Sequence, residues 1–143
     1  MSTIRDQLIA RMVTELNTAR PVGVPEFERV MNRPKEPEQL PANVVYPVRE
    51  SPVPVHNRRS PLVERTLTVR IEMRMIGNDS GVDPSHVWVT KTLMPSRLSN
   101  LCSEVNEDSV LWSFRRRAKP YCLCILDLTI NYTTSRTDQE RVS

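Results

Sequence analysis

Val63-Glu-Arg-Thr-Leu-Thr-Val-Arg-Ile-Glu-Met-Arg-Met75 alternates apolar and polar residues almost without interruption. A period of two is the signature of a β-strand with one face on a core and the other turned outward. Val63, Leu67, Val69, Ile71, Met73 and Met75 form the inward side, and only Arg65 breaks it. Glu64, Thr66, Thr68, Arg70, Glu72 and Arg74 form the outward side, whose opposite charges suit pairing with neighbouring strands or with another subunit. A strand this long needs partners on both edges and a layer over its apolar face.

Downstream, Tyr121 to Thr133 supplies a second such strand, in which Leu126, Leu128, Ile130 and Tyr132 alternate with Ile125, Asp127, Thr129 and Asn131. Val110 to Arg117 precedes it, and Ala118 to Pro120 makes the turn of a closing hairpin. Upstream the chain is dominated by proline: nine of the twelve lie between Pro21 and Pro61, where long helices and central strands are excluded because proline lacks the backbone donor. Glu26 to Asn32 and Asn43 to Glu50 are the strand candidates there. Pro47 interrupts the second and predicts a sheet edge or a bulge. Ser51 to Ser60 is expected as a long exposed loop.

Two helices complete the pattern. Ile4, Leu8, Met12, Val13 and Leu16 fall on one stripe between Thr3 and Ala19, with Thr3 and Asp6 as a loose capping box. After the Gly77 to Gly81 turn, Asp83 and Pro84 predict a helix start, Val89 and Leu93 lie one turn apart, and Pro95 ends or kinks the helix. The order is helix, three strands, helix, two strands. It predicts an α/β (α+β) domain over 1–134, with a mixed, mainly antiparallel sheet of about five strands, two helices on one face, and a frayed tail over 135–143.

Composition narrows the function. Twenty Lys and Arg against seventeen Asp and Glu leave a net charge of +3, short of the bias of a dedicated nucleic-acid binder. Lys35, Lys91 and Lys119 are the only lysines, and arginine favours bidentate pairing with carboxylates at interfaces. No run approaches the roughly 18 apolar residues of a membrane span, and cytoplasmic folding is expected. Three cysteines, Cys102, Cys122 and Cys124, argue against a disulfide framework and are read as buried thiols.

Catalytic motifs are missing. Three glycines cannot assemble a phosphate-binding or dinucleotide loop. Ser85 and His86 are sequence neighbours and point apart on a helix. The Cys122-x-Cys124 pair, even with Cys102 and His56 or His86, lacks the paired clusters of a zinc site, and Asp127 has no second carboxylate for acid–base work. No catalytic residue, cofactor or metal is expected. Trp88 and Trp112 are expected mainly in the core. Arg115, Arg116 and Arg117, following Trp112 and Phe114, form a basic, aromatic patch that fits a solvated hairpin tip, an interface or, as the alternative function, a nucleic-acid contact.

This succession resembles the tail terminator family of long-tailed bacteriophages. The likeness rests on the amphipathic first helix, Pro-Ala-Asn-Val-Val-Tyr-Pro at Pro41 to Pro47, Leu-Thr-Val-Arg-Ile-Glu at Leu67 to Glu72, a second helix with Trp88, and Leu-Asp-Leu-Thr-Ile-Asn-Tyr at Leu126 to Tyr132. It implies a mixed sheet backed by helices and a homohexameric ring that caps the tail tube and later meets the head connector. Expected partners are copies of itself, the tail tube protein and neck proteins, with DNA passing through unrecognised, and the expected location is the head–tail junction of a virion. A neighbouring head–tail joining or tail-completion role is the nearest rival. Candidate interface residues are Pro52, Pro54, His56, Arg58 and Arg59 in the loop, Arg70, Glu72 and Arg74 on the strand, and Arg115, Arg116 and Arg117.

Overall fold

The alternating stretch becomes β3, Leu62–Ile76, and its inward residues Leu67, Val69, Ile71 and Met73 are fully buried. At about 2 kcal/mol for each large apolar side chain removed from water, this row holds sheet and helices together. The computed structural model describes residues 3–29, 42–53, 62–77, 79–98, 100–115 and 121–135. Along the chain these form α1 (Ile4–Asn17), β1 (Phe27–Arg29), β2 (Ala42–Val53), β3, a 3-10 turn (Asp79–Val82), α2 (Asp83–Leu93), β4 (Glu104–Arg115) and β5 (Tyr121–Ser135). The result is an α+β fold.

The five strands lie in the order β1-β2-β3-β5-β4. Only β1 and β2 run parallel; every other neighbouring pair is antiparallel. β5 takes the place beside β3 because it can bury a continuous row. Cys122, Cys124, Leu126, Leu128, Ile130 and Tyr132 all point to the helix side, and Leu126, Leu128 and Ile130 sit opposite Ile71, Val69 and Leu67. β4 begins earlier than the apolar pattern suggests, at Glu104, and its polar first half suits the sheet edge it occupies.

β2 likewise extends past its expected end to Val53, so Ser51, Pro52 and Val53 belong to a strand rather than to the loop; 54–60 fall outside the described residues. The register shifts between Pro47 and Arg49, leaving Val48 as the extra residue of a bulge where the proline predicts one. β1 pairs only with Asn43 to Val45, so Pro47 lies where β2 has become an edge among the described residues, and its missing N–H leaves no ladder bond unmade there.

Both helices cover one face. α1 buries Ile4, Leu8, Ile9, Met12 and Leu16, with Val13 only partly covered, and the Thr3 hydroxyl caps it by accepting from the Asp6 N–H at 3.2 Å. Asn17 fastens its end to β1, its side-chain amide exchanging two 2.9 Å bonds with the Phe27 backbone. α2 buries Ser85, Val89 and Leu93, whereas Val87 faces out. The 3-10 turn runs directly into α2, which makes Val82 the cap residue; Asp83 lies inside the first turn and is not the N-cap that Asp-Pro suggests. Trp88 joins the two helices by donating its indole N–H to the Leu16 carbonyl at 2.8 Å.

Candidate subunit interface

Arg70, Glu72 and Arg74 share the sheet face opposite the helices, as their alternation requires. Register places Arg70 directly across from Asp127 on β5 and from Tyr46 on β2. The guanidinium grips the carboxylate in a two-point fork of 2.8 and 3.1 Å, and this bond raises the arginine further above its ordinary value. Burial, then the Glu72 charge, push the Tyr46 hydroxyl up as well. Glu72 and Arg74 pair at 3.4 Å, with side chains only 13% and 11% exposed. The charges expected to await a partner are thus largely neutralised within the subunit. They form a stiff, nearly neutral platform, and Asp127, without a carboxylate partner in the sequence, is the counter-ion of Arg70.

The helix side explains the one break in the apolar row of β3. Arg65 reaches Glu50 at 3.4 Å and Thr134 Oγ1 at 3.0 Å. The same carboxylate accepts from Arg5 at 3.1 Å and from the Tyr132 hydroxyl, whose ionisation is pushed up by burial and by that bond. A charged residue in the core row is tolerated because β2 brings it the Glu50 carboxylate, an acceptor shared with α1 and β5.

The other predicted interface residues do not gather in one place. Pro52 is exposed on β2 opposite Arg65, on the helix side and at the far end of the sheet from Arg74. Arg115 is the last residue of β4, in register with Tyr121 at the Arg74 end of the sheet. Pro54, His56, Arg58, Arg59, Arg116 and Arg117 lie outside the described residues.

Sequence reasoning missed a different surface. Leu111, Trp112 and Phe114 are 60%, 45% and 57% exposed on β4, so Trp112 is a surface residue and not part of the core. The signal was available: Leu111 and Trp112 are adjacent, so on a strand they face opposite sides, and a core cannot take both. His86 of α2 stacks edge-on against Trp112, ring centres 6.5 Å apart, and its Nε2 lies 3.5 Å from Glu107. Cys102, Cys122 and Cys124 are free and buried; burial, above all, pushes Cys102 and Cys124 up to about 11. They are poor nucleophiles at neutral pH. Among the described residues no group of three His, Cys, Asp or Glu side chains could hold a metal ion, and no helix is long and apolar enough to cross a membrane.

No protein-family model and no curated protein matches the sequence. Among solved structures, the chain is similar to one from the virion of a native gene transfer agent particle, with a TM-score of 0.50 and 12% identity. The superposition spans 90% of this chain and 91% of that one. At that identity the likeness is one of fold, and it extends over nearly the whole of both chains.

Proposed function

We propose that the chain is a structural subunit of a phage-like particle, and specifically a tail terminator that closes the end of the tail tube as a homohexameric ring and presents it to the head connector. The observation that carries this reading is the fold shared end to end with a gene transfer agent virion chain. The sequence phrases of the tail terminator family at 41–47, 67–72 and 126–132 support it. They fall on β2, β3 and β5, the strands that build the sheet's centre.

The chemistry agrees with assembly rather than turnover. On the sheet face away from the helices, Arg70 pairs with Asp127 and Arg74 with Glu72. Such a platform meets another protein without stranding a charge. In a ring each contact is heterologous, one patch of a subunit meeting a different patch of the next. The sheet offers patches of that kind: the platform of Arg70, Glu72 and Arg74 on one face, and the exposed Pro52 on the other. On this reading DNA passes the ring without base-specific contacts.

Deleting the gene from the element that encodes it, then measuring tail lengths by electron microscopy, tests the role. Overlong tails without heads are expected. Tails of normal length that fail to join heads would move the role to tail completion, and intact infectious particles would overturn the proposal.

A further inference from the structure

We propose that the connector from α2 to β4 is a strained latch, held shut by the bond between Ser96 and Glu15, which opens on its own and uncovers Cys102 while the sheet stays folded. Two residues of this connector, Leu98 with φ 49° and Asn100 with φ 65°, occupy the left-handed region without being glycine. Asparagine tolerates that conformation, whereas leucine adopts it against the crowding of its Cβ on the backbone carbonyl. Complete burial of the Leu98 side chain in the core offsets the strain. A residue so placed persists only where its surroundings over-determine it, and Ser96 supplies the restraint. Its hydroxyl accepts from the Leu98 N–H at 3.0 Å and donates to Glu15 Oε2 of α1 at 2.7 Å. One side chain thus shapes the strained turn and ties it to the first helix.

The latch has firm ends and a weak middle. At one end the Met94 N–H closes α2 on the Thr90 carbonyl at 3.1 Å; at the other, Ser103 gives both its N–H and its hydroxyl to the Asn131 carbonyl, at 2.8 and 2.9 Å. Beyond Ser96, the bonds from the Leu101 N–H to Leu98 and from the Cys102 N–H to Arg97 are both 3.3 Å, longer than an ordinary backbone bond. Ser96 and Glu15 also line a cleft of about 420 Å³ between α1 and the end of α2, so water can replace their bond without the helices parting. Cys102 hangs from this weak stretch. It is 7% exposed, and burial, then the Glu15 charge, hold its thiol in the protonated form against the pull of Arg97. Opening removes the burial and makes the thiol a better nucleophile. The inference does not depend on the tail reading.

The test is to label the native full chain with a thiol reagent over urea concentrations below its unfolding transition, and to identify the modified cysteines by mass spectrometry of the digest. Cys102 should react roughly tenfold or more faster than Cys124, at a rate almost flat in urea, whereas Cys124 in the sheet centre should wait for global unfolding and respond steeply. Ser96→Ala should raise the Cys102 rate by roughly tenfold without steepening its urea dependence, because it releases Leu98 and strands Glu15. Asn100 is exposed, so its variants isolate the backbone. Asn100→Ala, strained by a left-handed backbone, should label at Cys102 roughly fivefold faster than Asn100→Gly, which is not. A Cys102 rate that follows Cys124 at every urea concentration, a Ser96→Ala rate equal to the parent's, or equal rates for the two Asn100 variants would overturn the proposal.

Discussion

Replacing Glu50 by alanine should destabilise the fold far more than an exposed carboxylate would, because one carboxylate holds three elements. It accepts from Arg5 of α1, Arg65 of β3 and the Tyr132 hydroxyl of β5. Arg65 is 13% exposed, and among the described residues its remaining side-chain bond without Glu50 is to Thr134, a neutral acceptor. Breaking a fully buried pair costs about 3–5 kcal/mol; residual solvent access and the Thr134 bond reduce this to about 2–3 kcal/mol. For a domain of this size that lowers the melting temperature by roughly 6–9 °C. A double-mutant cycle by thermal and urea unfolding isolates the cause. Arg65→Met added to Glu50→Ala should recover most of the loss, since it removes the stranded charge and leaves an apolar side chain in the β3 row. Arg5→Ala should cost less than about 1 kcal/mol, its side chain being 37% exposed. A Glu50→Ala loss below about 1 kcal/mol, or a strictly additive cycle, would refute the claim that Arg65 is admitted to the core row by Glu50.

Two further outcomes follow from buried groups. Cys102 and Cys124 are pushed up to about 11, so unfolding exposes thiols that ionise more readily than the folded ones. The unfolded chain therefore binds fewer protons between about pH 9 and 11, and stability should fall as pH rises through that window, by up to about 1.4 kcal/mol per pH unit for each thiol; a flat pH profile in that range, or rapid labelling of both thiols in the native protein at neutral pH, would contradict it. Trp88→Phe should cost about 1–2 kcal/mol in urea unfolding by stranding the Leu16 carbonyl, and a neutral result would show that the 2.8 Å bond is not needed to join α1 to α2.

The parts of the fold legible in the sequence were those with a strong period. The alternation of 63–75 gave β3 and its buried side, the stripe from Ile4 to Leu16 gave α1, and Pro47 marked the bulge. Long-range pairing left no local trace. Nothing in Phe27–Arg29 indicates that it pairs in parallel with Asn43 to Val45, nor does the hairpin pattern state which of β4 and β5 lies next to β3. The apolar pattern starts later than β4 does because Glu104 to Ser109 is an edge segment with little to bury, and apolar alternation cannot report a strand that faces water. The candidate site was legible only in part. Alternation places Arg70, Glu72 and Arg74 on one face, but their charges are balanced inside the subunit, a fact fixed by register with Asp127 and invisible without it. The exposure of Trp112 is signalled only by its adjacency to Leu111, because neighbours on a strand face opposite sides and a core covers one of them.

The central claim is that this subunit caps a tail tube, and it is tested most directly on tails assembled in its absence. Purified protein is added to such tails, and their length and ends are followed by electron microscopy. The account predicts that growth stops and that a ring of density appears at one end of each tube. Tubes that keep lengthening, with ends indistinguishable from those of untreated tails, would contradict it.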